Sequence, residues 1–189
     1  MSDYKNIRGK KIKFFTSDLS GETSEGQLFY SDTDNQFKSI VASAVWSAGG
    51  NNITKHYAGA GGGTQTAGVI FGGNDGSSPL NNTTEYNGAG FSLGGDLTNA
   101  RYTLGGGGTQ TAALAFGGNS PGPTVKDLTE EWNGASWVEV ADLSTARDNL
   151  AGSGTASAAL AFGGVPPSPA GVVTEEWSSS SDVVKTLTD

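Results

Sequence analysis

Three apolar runs organise the chain. Residues 66–73, 111–118 and 157–164 are its most hydrophobic segments, and each closes on a glycine doublet: Phe71-Gly72-Gly73, Phe116-Gly117-Gly118 and Phe162-Gly163-Gly164. None alternates cleanly between polar and apolar, which is the pattern of a strand covered on both faces. A run of small residues precedes each one, near 55–61, 102–107 and 148–153. A segment ending in an aromatic follows, near 82–86, 127–132 and 172–177. Asn87-Gly88 and Asn133-Gly134 then lead into short segments holding Phe91 and Trp137. Asn-Gly between two such runs is a hairpin signal. The pattern predicts short strands and no helix. Pro and Gly punctuate 74–81, 119–126 and 165–171, which read as the longest loops.

The segments repeat. Thr64-Gln65-Thr66-Ala67 returns as Thr109-Gln110-Thr111-Ala112 and as Thr155-Ala156-Ser157-Ala158, at steps of 45 and 46 residues. Tyr86, Trp132 and Trp177 keep the same step, as do Trp46, Phe91, Trp137 and, in weakened form, Val183. Arg101 and Arg147 form a fourth series, with His56 at the corresponding place in the first unit. Markers sharing one period define a repeat architecture, and four strands in about 45 residues suit a β-propeller blade.

At this point the residues resemble the kelch repeat, in which a glycine doublet follows a hydrophobic strand, then a Tyr, a Trp and an Arg. Gly117-Gly118, Trp132, Trp137 and Arg147 stand at those places. The second and third units have Trp for the family's Tyr, and the first has Phe91 for its Trp and His56 for its Arg. The resemblance implies an all-β fold of three kelch-like blades over residues 44–189, with units of about 44–88, 89–134 and 135–189. It implies no particular activity.

Three blades do not close a ring, and open strand edges invite pairing with other chains. Symmetric copies are the economical closure. The chain is therefore expected to be a homo-oligomer, with a trimer favoured over a dimer. The marker of the fourth strand occurs four times, one more than the others. Trp46 thus begins a strand without partners in its own chain, while Val183 and Val184 end the chain with the same element. These three residues are the expected oligomer contacts.

Residues 1–43 lie outside the repeat and hold three of the thirty glycines. Residues 25–30 and 36–41 read as a hairpin around Asp32-Thr33-Asp34-Asn35, with Ile12-Lys13-Phe14-Phe15 as a further short strand. So small a unit must dock on something to bury its apolar residues. Its candidate docking residues are Lys10, Lys11, Lys13, Phe14, Phe15, Leu28, Phe29, Tyr30 and Phe37. Glu25-Gly26-Gln27-Leu28-Phe29-Tyr30 followed by Gln36-Phe37-Lys38 is similar to an N-terminal segment of tail-fibre and appendage proteins of tailed bacteriophages of marine or cyanobacterial type. That resemblance implies a virion structural protein assembled in the host cytoplasm, whose N-terminus docks on other virion proteins.

Charge and composition narrow the remaining chemistry. The formal net charge is −8, and five of the eleven basic residues lie within residues 1–13. An acidic body repels nucleic acid and anionic membranes, so neither is an expected partner. There is no cysteine, and His56 is the only histidine, so thiolate sites, disulfides and polyhistidine metal sites within the chain are excluded. No cofactor is expected. His56 reads as a substituted repeat Arg rather than a catalytic base. Glu85, Glu131 and Glu176 recur at one position and are expected to pair with Arg101 and Arg147. The tryptophans are expected in the core, with sugar stacking as the alternative. Loops on a rigid repeat scaffold carry recognition, so Asp75, Asn81, Asn119 and Lys126 are the candidate ligand-loop residues and a host-surface glycan the candidate ligand. The function expected is a non-enzymatic virion subunit. A lectin-like propeller is the alternative, and a glycan hydrolase the remote one.

Overall fold

The computed structural model describes residues 14–15, 28–31, 36–39, 46–122, 124–165 and 172–179. Contacts divide the chain into two units, Met1–Ala48 and Gly49–Asp189. All regular structure among the described residues is β, with no helix.

In the first unit, strand β1 (Phe14–Phe15) pairs in parallel with β2 (Leu28–Ser31), and β2 pairs antiparallel with β3 (Gln36–Ser39). Tyr30 stands opposite Phe37, so the expected hairpin and the additional strand are both present. Lys10, Lys11 and Lys13 lie outside the described residues.

The second unit contains three antiparallel sheets, each built as a meander. The first comprises β4 (Ala60–Thr64), β5 (Ala67–Phe71), β6 (Thr83–Tyr86) and β7 (Phe91–Leu93), in that order. The second comprises β8 (Gly105–Thr109), β9 (Ala112–Phe116), β12 (Thr129–Trp132) and β13 (Trp137–Glu139). Between β9 and β12, the loop forms a small hairpin of β10 (Asn119–Ser120) and β11 (Thr124–Val125). The third sheet contains β14 (Asp148–Thr155), β15 (Ala158–Val165) and β16 (Thr174–Ser178). The expected fourth strand near 182–187, with Val183 and Val184, lies outside the described residues.

The strand expected to begin at Trp46, which belongs to the first unit, depends on a partner from another copy. Trp46 is not in a strand and is fully exposed. A lone extended segment leaves its N–H and C=O groups unpaired, and a strand forms only where a neighbour supplies them. No such neighbour is present among the described residues.

The apolar runs became β5, β9 and β15, the second strand of each sheet, flanked on both sides. The first core cluster joins Val69 and Phe71 of β5 to Ala113, Ala115, Trp132 and Trp137 of the second sheet, with Leu97 and Leu104. The second repeats this one sheet further on, with Leu114 and Phe116 of β9 against Ala159 and Ala161 of β15 and Leu150 of β14. Each buried Phe or Leu contributes about 2 kcal/mol. The sheets therefore adhere through side chains of their second strands.

Their first strands meet backbone to backbone. A Cβ on Gly62 would stand 2.7 Å from the Gly108 carbonyl oxygen, and one on Gly152 would stand 2.5 Å from that of Gly106. Only glycine permits that approach. Two backbone bonds continue the row: Thr103 N donates to Ala58 O, and Asn149 N to Thr103 O, both at 2.8 Å. Ala58, Thr103 and Asn149 occupy one repeat position and share a left-handed φ of 52° to 53°. The same strained turn thus starts the first strand of every sheet.

Candidate functional site

The second and third sheets are each closed by a buried arginine placed just before the first strand. The Arg101 guanidinium donates to Gly117 O at 2.8 Å, to Leu128 O at 2.7 Å and to Glu130 Oε1 at 2.8 Å. Arg101 and Glu130 are both fully buried. The second Glu130 oxygen accepts from Thr98 N at 2.7 Å. Arg147 repeats the arrangement on Gly163 O, Val173 O and Glu175 Oε1, and Glu175 accepts from Ser144 N. Burial lowers the affinity of Arg101 for its proton, while the Glu130 carboxylate raises it. An arginine so far from neutral pH remains charged throughout.

The acids in these pairs differ from those expected. Glu131 and Glu176 do not meet the arginines; Glu130 and Glu175, one position earlier, do. Successive strand residues face opposite sides, so one step decides whether a carboxylate reaches the interior or solvent. Glu85, Glu131 and Glu176 are correspondingly open to solvent in part.

The first sheet has different residues at both places. His56 Nδ1 donates to Gly72 O at 2.6 Å, the carbonyl equivalent to Gly117 and Gly163. Thr84 replaces the glutamate. His56 Nε2 and Thr84 Oγ1 are both buried without a hydrogen-bond partner among the described residues. Arginine and glutamate are thus lost together, and neither charge is buried alone. His56 is therefore a substituted repeat arginine, as its place in the sequence implied.

These staples anchor the loops. The first glycine of each doublet has φ between +60° and +73° and the second between +93° and +97°, a turn that favours glycine. The second glycine's N–H in one sheet donates to the next arginine's own carbonyl: Gly73 to Arg101 at 2.7 Å and Gly118 to Arg147 at 2.9 Å. Leu80 N returns to Gly73 O, and Lys126 N to Gly118 O, closing the base of each loop.

The candidate ligand residues are thereby placed. Asp75 sits at an exposed loop tip, where its Oδ1 accepts from Ser77 N and Ser78 N, each at 2.7 Å. Those two N–H groups hold its carboxyl below the usual aspartate range. A depressed folded-state pKa gives a turn favoured at neutral pH and lost as pH falls through the lowered value. Asn119 and Lys126 stand at opposite ends of one loop. Asn119 Nδ2 donates to Asp148 Oδ2 at 3.4 Å, and Thr103 Oγ1 donates to the same oxygen at 3.4 Å. Asn81 lies apart from this group, its carbonyl taken by Leu97 N. Asn119, Thr103 and Asp148 therefore form a polar cluster that excludes Asn81. Exposed Tyr57, bonded through its backbone to Asn74, marks the equivalent place in the first sheet.

Trp132 and Trp137 are interior, Trp177 is partly buried, and Trp46 is fully exposed. Trp132 and Trp137 are buried with ring centroids 5.4 Å apart, and Trp137 meets the Phe71 ring edge-on at 4.8 Å. Indole N–H groups donate from Trp132 to Gln110 O, from Trp177 to Ala156 O and from Trp137 to Thr83 Oγ1. No face of Trp132 or Trp137 is free to stack on a sugar. Among the described residues, no group of three His, Asp or Glu side chains converges as a metal site would require.

The sequence matches no protein-family model and no curated protein. Solved structures do match, among them that of YjhT, with a TM-score of 0.54 and 12% identity over 79% of this chain and 47% of that one. The chain thus spans about half the length of YjhT. The likeness is one of fold.

Proposed function

We propose that the chain is a non-enzymatic structural subunit of a bacteriophage virion: a short fibre, decoration or appendage protein. Its three sheets act as kelch-like blades of a propeller-type array completed by copies of the chain. Residues 1–43 dock on other virion proteins, and the loops after the glycine doublets face a host surface. The virion role is supported by the sequence resemblance that spans about residues 6–41. The display role is supported by one structural observation, the stapling of each loop base to a buried arginine. That arrangement fixes two ends and leaves the intervening residues free to vary. The chain is therefore expected among the proteins of purified phage particles by mass spectrometry, and a chain lacking residues 1–43 is expected to be lost from them. Absence of the intact chain from particles overturns the reading.

The lectin alternative now rests on the loop end of the sheets rather than on tryptophan. Among the described residues, exposed Tyr57 and the Asn119–Asp148 cluster are candidate contacts. A glycan-array signal abolished by Tyr57→Ala would favour it.

A further inference from the structure

The contacts between successive sheets have a direction, and they leave two unlike ends. Val69 and Phe71 of the first sheet, and Leu114 and Phe116 of the second, are at most 3% exposed because the next sheet covers them. Leu160 and Phe162 hold the same positions in the third sheet and are 40% and 39% exposed. The covering element is equally specific. A Cβ on Gly106 would stand 2.7 Å from the Phe71 ring, and one on Gly152 would stand 2.5 Å from the Phe116 ring. Each phenylalanine thus rests on a glycine of the next sheet's first strand. Gly61 is the equivalent glycine in the first sheet, and a Cβ there would meet only the backbone of its own hairpin. One end of the array has a phenylalanine without a glycine, and the other a glycine without a phenylalanine.

A second pair of features points the same way. Trp137 fits between sheets by donating to Thr83 Oγ1 and meeting Phe71. One sheet further on, the equivalents Thr129 and Phe116 line a cavity of about 60 Å³ with Leu143 and Trp177. Trp46 has the repeat position of Trp137 and is fully exposed. Fifteen residues separate Trp137 from Gly152, Phe91 from Gly106 and Trp46 from Gly61.

We propose that a second copy of the chain continues the array head to tail. Phe162 of each copy rests on Gly61 of the partner subunit, and Trp46 of the partner subunit enters the Thr129–Phe116 cavity. The equal spacing lets one docking make both contacts. Ile70, at the position of buried Ala115 and Ala161, then faces Phe162. Two copies place six sheets in a ring, within the four to eight that such rings use, whereas three place nine. The inference rests on the propeller-type reading of the sheets and not on the virion role.

Native mass spectrometry of the full chain tests it. The wild type is expected at twice the chain mass. Phe162→Glu and Ile70→Lys are each expected to be monomers with unchanged circular dichroism, since both side chains are partly exposed in the single chain. Mixing the two variants is expected to restore a dimer, because one of its two interfaces is then wild type and the other pairs Glu with Lys. Trp46→Ala is expected to weaken the dimer at least tenfold. A folded wild-type monomer overturns the docking and leaves the sheets as described. A trimer overturns the two-copy ring. A dimer that persists in Phe162→Glu, or a mixture that stays monomeric, overturns the head-to-tail geometry. Unchanged affinity in Trp46→Ala overturns the assignment of the cavity to Trp46.

Discussion

Arg101 and Glu130 show what a buried pair requires. The ions satisfy each other, and two backbone carbonyls and one N–H satisfy most of what remains. Removing one partner leaves the other charged in the interior, at a cost of about 3–5 kcal/mol, whereas replacing both is often nearly neutral. Arg101→Met is therefore expected to lower stability by about that amount in urea unfolding. Arg101→His combined with Glu130→Thr, the residues the first sheet already uses, is expected to recover most of it. Equal losses in the single and double variants would refute the account. The pairing was partly legible in the sequence. The arginines stood out, but Glu85, Glu131 and Glu176 recur in all three units and drew the assignment to themselves. The true partners occur in only two. The informative signal was the joint change: His56 where an arginine belongs, and Thr84 where a glutamate belongs.

Strands were far easier to place than their partners. The second strand of each sheet follows from an apolar run ending in a glycine doublet, and the third from its terminal aromatic. The first strands were expected near 55–61 and 102–107 and instead begin at Ala60 and Gly105. Glycine carries no side-chain pattern, so periodicity cannot mark where such a strand starts. What the glycines do becomes visible only with the neighbouring sheet in place. Gly106→Ala would set a methyl 2.7 Å from the Phe71 ring and 2.8 Å from Leu114 O, and overpacking of this kind costs about 1–3 kcal/mol. Gly90→Ala has open space within 4 Å and is expected to shift stability by less than about 0.5 kcal/mol. Thermal unfolding of the two variants separates them, and similar shifts would contradict the packing described.

For the whole molecule, both core clusters lie within residues 49–189. A chain lacking residues 1–43 is therefore expected to keep the β-type circular dichroism and cooperative unfolding of the repeat. Loss of cooperativity would show that the sheets depend on the N-terminal unit. The same truncation is expected to fail in particle incorporation, so folding and docking are separable by one deletion. Trp46 shows where a single sequence falls short. Its repeat position was plain, yet a strand exists only through its hydrogen-bonding neighbour, and no single-chain pattern says which molecule supplies it.

The loop between the glycine doublet and the third strand has one further consequence. The second unit carries one residue more there than the first, yet Lys126 N still returns to Gly118 O as Leu80 N returns to Gly73 O. The bookends are the same although the shelf between them is longer. Variation inside a loop is thus absorbed before it reaches the sheets, and lengthening such a loop costs little entropy. Under the proposed display role, recognition by such a loop would drift rapidly with a changing surface while the framework stays under separate constraint. A foreign peptide placed at Gly122 should ride on the protein without being felt by it.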